Sequence, residues 1–143
     1  MLRPTTQDLS HIVDLKHLWN RLRVPHPFWP GHFCDEGTRK VCDNAATYCP
    51  VGSDAPTIVA AKHYTVQDRV SGGRTSQQLC KVGFYCQFGL QLPCSDEKAY
   101  CPAGSDAPQA VSAGHYSIAI NTTSGTLYVG QQLCEPGDCE RHL

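Results

Sequence analysis

The sequence predicts a small disulfide-rich fold, mainly β-hairpins and irregular loops in two tandem repeats, with an α-helix at the N-terminus. Three observations predict it. Residues 48–56, Tyr-Cys-Pro-Val-Gly-Ser-Asp-Ala-Pro, return at 100–108 as Tyr-Cys-Pro-Ala-Gly-Ser-Asp-Ala-Pro, and self-similarity at a period of tens of residues marks an array of small units. Nine cysteines, twelve glycines and ten prolines in 143 residues suit units held by disulfides. Aromatic residues are only 8% of the chain, too few to stabilise units of roughly 50 residues by burial alone.

Residues 5–23 read as the helix. Thr5 or Thr6 can cap it, Thr5-x-x-Asp8 resembles a capping box, and Leu9, Ile12, Val13, Leu15, Leu18, Trp19 and Leu22 supply an apolar stripe. Pro25 and Pro27 stop it. The charge on its polar face is mixed rather than basic, which favours a helix packed on the first repeat, or non-native sequence at a mispredicted gene start, over an amphipathic partner or membrane-surface helix. Residues 1–29 are therefore a helical leader with a Pro-rich linker, followed by cysteine-rich repeats at 30–80 and 81–134. Residues 135–143 read as the start of a truncated further repeat.

Within the repeats, Gly31-His32-Phe33-Cys34 answers to Gly83-Phe84-Tyr85-Cys86, and Val59, Ala61, His63 and Tyr64 to Val111, Ala113, His115 and Tyr116. Each copy closes on Gln-Gln-Leu-Cys, at 77–80 and 131–134. Between Cys34 and Tyr48, and between Cys86 and Tyr100, the chain is short, polar and turn-rich. Strands are expected at 57–59 and 63–66 in the first copy and at 115–120 in the second. Residues 121–125 read as a hairpin turn with 126–129 as the returning strand; its counterpart near 70–77 is weaker. The two copies differ in length by two residues, between this Tyr and the closing Cys, as a surface hairpin tolerates.

Framing a unit from Gly-aromatic-Cys groups Cys34, Cys42, Cys49 and Cys80, then Cys86, Cys94, Cys101 and Cys134, all in disulfides. Cys139 is left unpaired or intermolecular. Framing from Cys80 leaves the first unit with three cysteines and strands both Cys134 and Cys139, so the first frame is the more economical. Phe28 stands six residues before Cys34, where a cysteine would be expected. Four cysteines still allow three connectivities.

Gly-aromatic-Tyr/Phe-Cys, then Tyr-Cys-Pro-x-Gly-Ser, then a closing Cys resembles the extracellular cysteine-rich repeats labelled ephrin-receptor-like or tumour-necrosis-factor-receptor-like. The resemblance spans about residues 30–139. It implies pairing of the Cys-Pro cysteine with the next downstream, Cys49–Cys80 and Cys101–Cys134, which leaves Cys34–Cys42 and Cys86–Cys94. It also implies tandem arrays in large secreted or surface proteins.

Such cysteine usage implies an oxidising, extracellular or cell-surface setting. Asp8, His11, Asp14, Lys16 and His17 interrupt any signal-peptide core, so export is expected to be directed by sequence outside this chain. A net charge of −1 gives no footprint for nucleic acid, and no stretch is long and apolar enough to span a bilayer. The only zinc-like spacing is Cys134-x4-Cys139-x2-His142, so no metal is expected. His63 and His115 recur as a packing and hydrogen-bonding requirement, and Asp54 and Asp106 suit turns rather than calcium. Asn121-Thr122-Thr123 is a glycosylation acceptor.

The expectation is a non-enzymatic extracellular fragment without cofactors, a spacer or protein/glycan interaction module of a larger surface or matrix protein. Its partners would be other repeats of the same array or extracellular protein and glycan. The alternatives are a small secreted effector or inhibitor and, third, an intracellular zinc-binding module.

Overall fold

The computed structural model describes residues 30–137. The helix expected over 5–23, the Pro-rich linker and Cys139 lie outside the described residues.

Strands pair here as local two-stranded antiparallel ladders, with no helix among the described residues. β1 (His32–Asp35) and β2 (Thr38–Val41) form the first hairpin. Its loop is Glu36 and Gly37, both at positive φ (46° and 75°), the tight turn whose twist matches its strands. β3 (Thr47–Tyr48) pairs with β4 (Thr57–Ile58), and β5 (His63–Gln67) with β6 (Arg74–Leu79). The same order follows again. β7 (Phe84–Gln87) pairs with β8 (Leu90–Pro93) around Phe88 and Gly89, at φ 51° and 75°. β9 (Ala99–Tyr100) pairs with β10 (Gln109–Ala110), and β11 (His115–Thr122) with β12 (Gly125–Leu133).

Backbone hydrogen bonds recur at a step of 52 residues. Gly31 N–H donates to the Cys49 carbonyl (2.9 Å) and Gly83 N–H to that of Cys101 (2.7 Å). Cys34 N–H donates to Ser53 and Cys86 N–H to Ser105; Val59 N–H donates to Ala46 and Val111 N–H to Lys98. Ser53 and Ser105 hydroxyls each close the Cys-Pro turn on the Pro50 and Pro102 carbonyls (2.7 and 2.6 Å).

Two strand expectations shift. The returning strand of the first copy begins at Arg74, not near residue 70. The Asp68 carboxylate accepts the Ser71 N–H (2.7 Å) and the Asp68 carbonyl the Gly72 N–H (2.9 Å), closing a loop that leaves Val70 95% exposed. In the second copy the turn shrinks to Thr123 and Ser124, and the ladder runs on to Thr122 opposite Gly125. The hairpins β1–β2 and β7–β8 are gains over the sequence reading, which expects only turn-rich chain there.

The core is sulfur. Among the described residues the buried apolar ones are Cys42, Cys49, Cys80, Cys86, Cys94 and Cys101, joined by Ala99 and Leu127. Ile58 and Phe88 stay about four-fifths exposed (79% and 80%), so apolar burial contributes little and the bridges much. Each closes a short loop and restricts the unfolded chain by about 2.5 kcal/mol.

The bridges between described residues are Cys42–Cys49, Cys80–Cys86 and Cys94–Cys101, with Cα–Cα separations of 6.1, 5.7 and 6.0 Å, inside the range a disulfide spans. This overturns the pairing that the resemblance implies. Hairpin register is the reason. His32 lies opposite Val41, and Cys42 N–H donates to the Gly31 carbonyl, so Cys42 stands opposite a point three residues from Cys34. At ~3.3 Å per residue that is ~10 Å, too far for a bridge. Cys86 and Cys94 are separated by the same register, Phe84 opposite Pro93. Cys49 and Cys101 are consumed by Cys42 and Cys94, which removes Cys49–Cys80 and Cys101–Cys134. Cys134 is disulfide-bonded.

Cys34, expected in a disulfide, is a free exposed thiol instead. Its counterpart Cys86 bonds the cysteine six residues earlier, and six residues before Cys34 stands Phe28. The frame that starts at Cys80, the less economical on paper, is the one the sulfur atoms follow.

Candidate interaction surface

The residues singled out for chemistry stay apart. His63 and His115 each donate from Nδ1 to a carbonyl two residues earlier, Ala61 (2.8 Å) and Ala113 (3.1 Å); each ring pins the turn that leads into β5 or β11. Asp54 and Asp106 are exposed, and the turn bond there belongs to the preceding serine. Asn121 is exposed near the end of β11, its Oδ1 accepting from the Thr126 hydroxyl (3.0 Å). No group of three His, Cys, Asp or Glu among the described residues is arranged to hold a metal ion. No helix among them is long and apolar enough to cross a membrane.

What the chain does build is a seat and an occupant. Thr65 on β5 is buried, 5% exposed. Its N–H donates to the Gly89 carbonyl (3.0 Å), and its hydroxyl donates to the Ala45 carbonyl (2.7 Å) while accepting from Arg74 Nη1 (2.7 Å). Tyr64 and Gly89 pair as a parallel bridge. The turn of the β7–β8 hairpin thus rests on β5 and on the Ala45 backbone, so closely that a Cβ at Gly89 would run into the Ala45 carbonyl. Gly104 N–H donates to the Cys80 carbonyl (2.8 Å), and a Cβ at Gly104 would stand 3.3 Å from Leu79 Cδ1. Lys81 Nζ lies 5.9 Å from the Tyr64 ring centroid, within cation–π reach. The Cys80–Cys86 bridge locks this junction across the expected boundary at 80/81.

The counterparts of the seat residues, 52 positions on up to β11 and 54 in β12, line an open groove of about 780 Å³. Glu97 and Lys98 stand where Ala45 and Ala46 do, Tyr116 and Ser117 where Tyr64 and Thr65 do. Tyr128 takes the place of Arg74: its N–H donates to Cys94 as that of Arg74 donates to Cys42. The Ser117 hydroxyl donates to the Glu97 carbonyl (2.7 Å), as Thr65 donates to Ala45. Residues 111–115, ending in Gly114 and His115, form the rest of the rim.

Sequence reasoning missed this surface. Glu97, Lys98 and Ser117 meet only through strand register. The available signal was a hydroxyl at matched positions, Thr65 and Ser117, one residue after each recurring His-Tyr pair.

Compared with known proteins, the chain matches no family model, no curated protein and no solved structure.

Proposed function

We propose that residues 30–134 are two tandem disulfide-stapled units of a non-enzymatic extracellular array, a structural spacer or a protein- or glycan-binding module of a larger surface or matrix protein. The observation that carries this reading is the junction around Gly89. A unit of this kind packs its last hairpin against the first hairpin of the next, and the Cys80–Cys86 bridge fastens the two. The recurrence of the hydrogen bonds at 52 residues supports the same division.

The core supports the location. Cystines supply six of the eight buried apolar residues among those described, which suits a protein that works where disulfides persist, outside the reducing cytosol. The ephrin-receptor-like or tumour-necrosis-factor-receptor-like class remains the proposed kind of repeat, with a different bridge pattern from the one that class implies. Asn121, exposed on β11, is the proposed carrier of a glycan.

Alkylation of the native protein, made in an oxidising host, tests the reading together with metal analysis. The expected result is Cys34 modified under native conditions, the bridged cysteines protected until reduction, and no zinc. Mostly free thiols with stoichiometric zinc would replace this reading by an intracellular metal-binding module.

A further inference from the structure

We propose that the groove beside β11 is a docking seat for the Glu36-Gly37 turn of a second copy of this chain, so that copies associate head to tail. This rests on the reading of the chain as tandem units and names a partner for a turn and a groove that the described residues leave uncovered.

The argument is continuity with the junction inside the molecule. That junction shows what the seat takes: a two-residue hairpin turn with both φ values positive and glycine second, presenting a carbonyl to the N–H of Thr65. One other turn among the described residues has this form. Glu36 and Gly37 (φ 46° and 75°) match Phe88 and Gly89 (φ 51° and 75°), between strands of the same length. Unlike Gly89, Gly37 is uncovered among the described residues: none of them lies within 4 Å of the position its Cβ would take.

The receiving side is also repeated. Ser117 lies opposite Gln131 in β12 as Thr65 lies opposite Gln77 in β6, so its N–H has the direction that meets the Gly89 carbonyl in the filled seat. Leu133, the counterpart of Leu79, is 63% exposed against 52% for Leu79. In the docked pair the Gly37 carbonyl of one copy accepts from Ser117 of the other, Gly52 lies against Leu133 as Gly104 lies against Leu79, and Glu36 meets a rim carrying both Glu97 and Lys98. Cys34 arrives near Cys134, which is already bridged, so the association is non-covalent. A contact between different faces does not close on itself, and chains of copies grow from it.

Sedimentation velocity of the full chain, in a Cys34→Ser background that removes disulfide-linked dimers, tests this across a concentration series reaching the millimolar range. The weight-average mass should rise with concentration beyond that of a dimer. Gly37→Asn keeps a residue tolerant of positive φ but adds a Cβ against the Glu97 carbonyl. Ser117→Arg fills the groove from an already accessible position. Each variant alone should associate at least about tenfold more weakly, a loss of about 1.4 kcal/mol. An equimolar mixture should form a one-to-one dimer and nothing larger, because each variant keeps the face the other has lost. A protein that stays monomeric, variants that assemble like the parent, or a mixture that does not complement would each overturn the proposal. Bridge mapping on the same samples separates the failures. Intact bridges without association defeat only the docking, whereas free thiols defeat the tandem-unit reading beneath it.

Discussion

The β1–β2 and β7–β8 hairpins share strand lengths, turn conformation and backbone hydrogen bonds, yet one is tied down and the other is not. Cys86 is bridged to Cys80, and Gly89 is pressed on Ala45; Cys34 is an exposed thiol, and Gly37 meets open space. On the proposed tandem-unit reading, the Cys80–Cys86 bridge belongs to a joint between neighbours. What the hairpins need for themselves is the ladder, the glycine turn and the bridge below it, Cys42–Cys49 or Cys94–Cys101.

The largest effect should come from removing an internal bridge. Replacing both Cys94 and Cys101 by Ala removes two of the fully buried side chains and should cost about 3–5 kcal/mol, read as a fall in the urea midpoint. Replacing Cys80 and Cys86 together should act differently. The second unit keeps its own bridge, so denaturation should separate into two transitions, with faster amide exchange at Thr65 and Gly104, whose N–H groups cross the joint.

Next comes a matched pair of glycines. Gly89→Ala meets both positive φ and the Ala45 carbonyl, while Gly37→Ala meets positive φ alone. The first should destabilise by about 3 kcal/mol and the second by about 1. Equal losses would show that the close approach at Gly89 is not part of the joint.

The smallest effect concerns the last hairpins. The Ser71 backbone N–H, with help from the Ser71 hydroxyl, holds the Asp68 carboxyl below its ordinary value. A carboxyl whose folded pKa is depressed adds stability above its unfolded pKa and loses it as pH falls through the folded one. Amide exchange at Ser71 should therefore rise in acid below the ordinary aspartate range, without change at Thr123 and Ser124, which form the corresponding two-residue loop. Asp68→Asn should remove the pH dependence.

The strands at residues 57–59, 63–66 and 115–120 were legible because β-formers cluster there between Gly, Pro and Ser-Asp turns. Pairing of the sulfur atoms was not. It depends on the register of two short hairpins whose turns, Glu-Gly and Phe-Gly, lack the usual Asn-Gly or Asp-Gly signal. Phe28, at the place of a missing cysteine, was the clue to the frame. Economy of pairing argued against it, because a cysteine left single in one unit looks like an error until the joint between units is seen. The groove was illegible for a similar reason: Glu97, Lys98 and Ser117 are ordinary surface residues until the filled seat at Ala45 and Thr65 shows what such a surface receives.

A peptide map of the non-reduced protein, digested at a pH that prevents disulfide exchange, tests the account most directly. The account predicts fragments joined through Cys42–Cys49, Cys80–Cys86 and Cys94–Cys101, with Cys34 recovered as a thiol. Fragments joined through Cys34–Cys42 or Cys49–Cys80 would contradict it, since neither bridge can form while the hairpins keep this register.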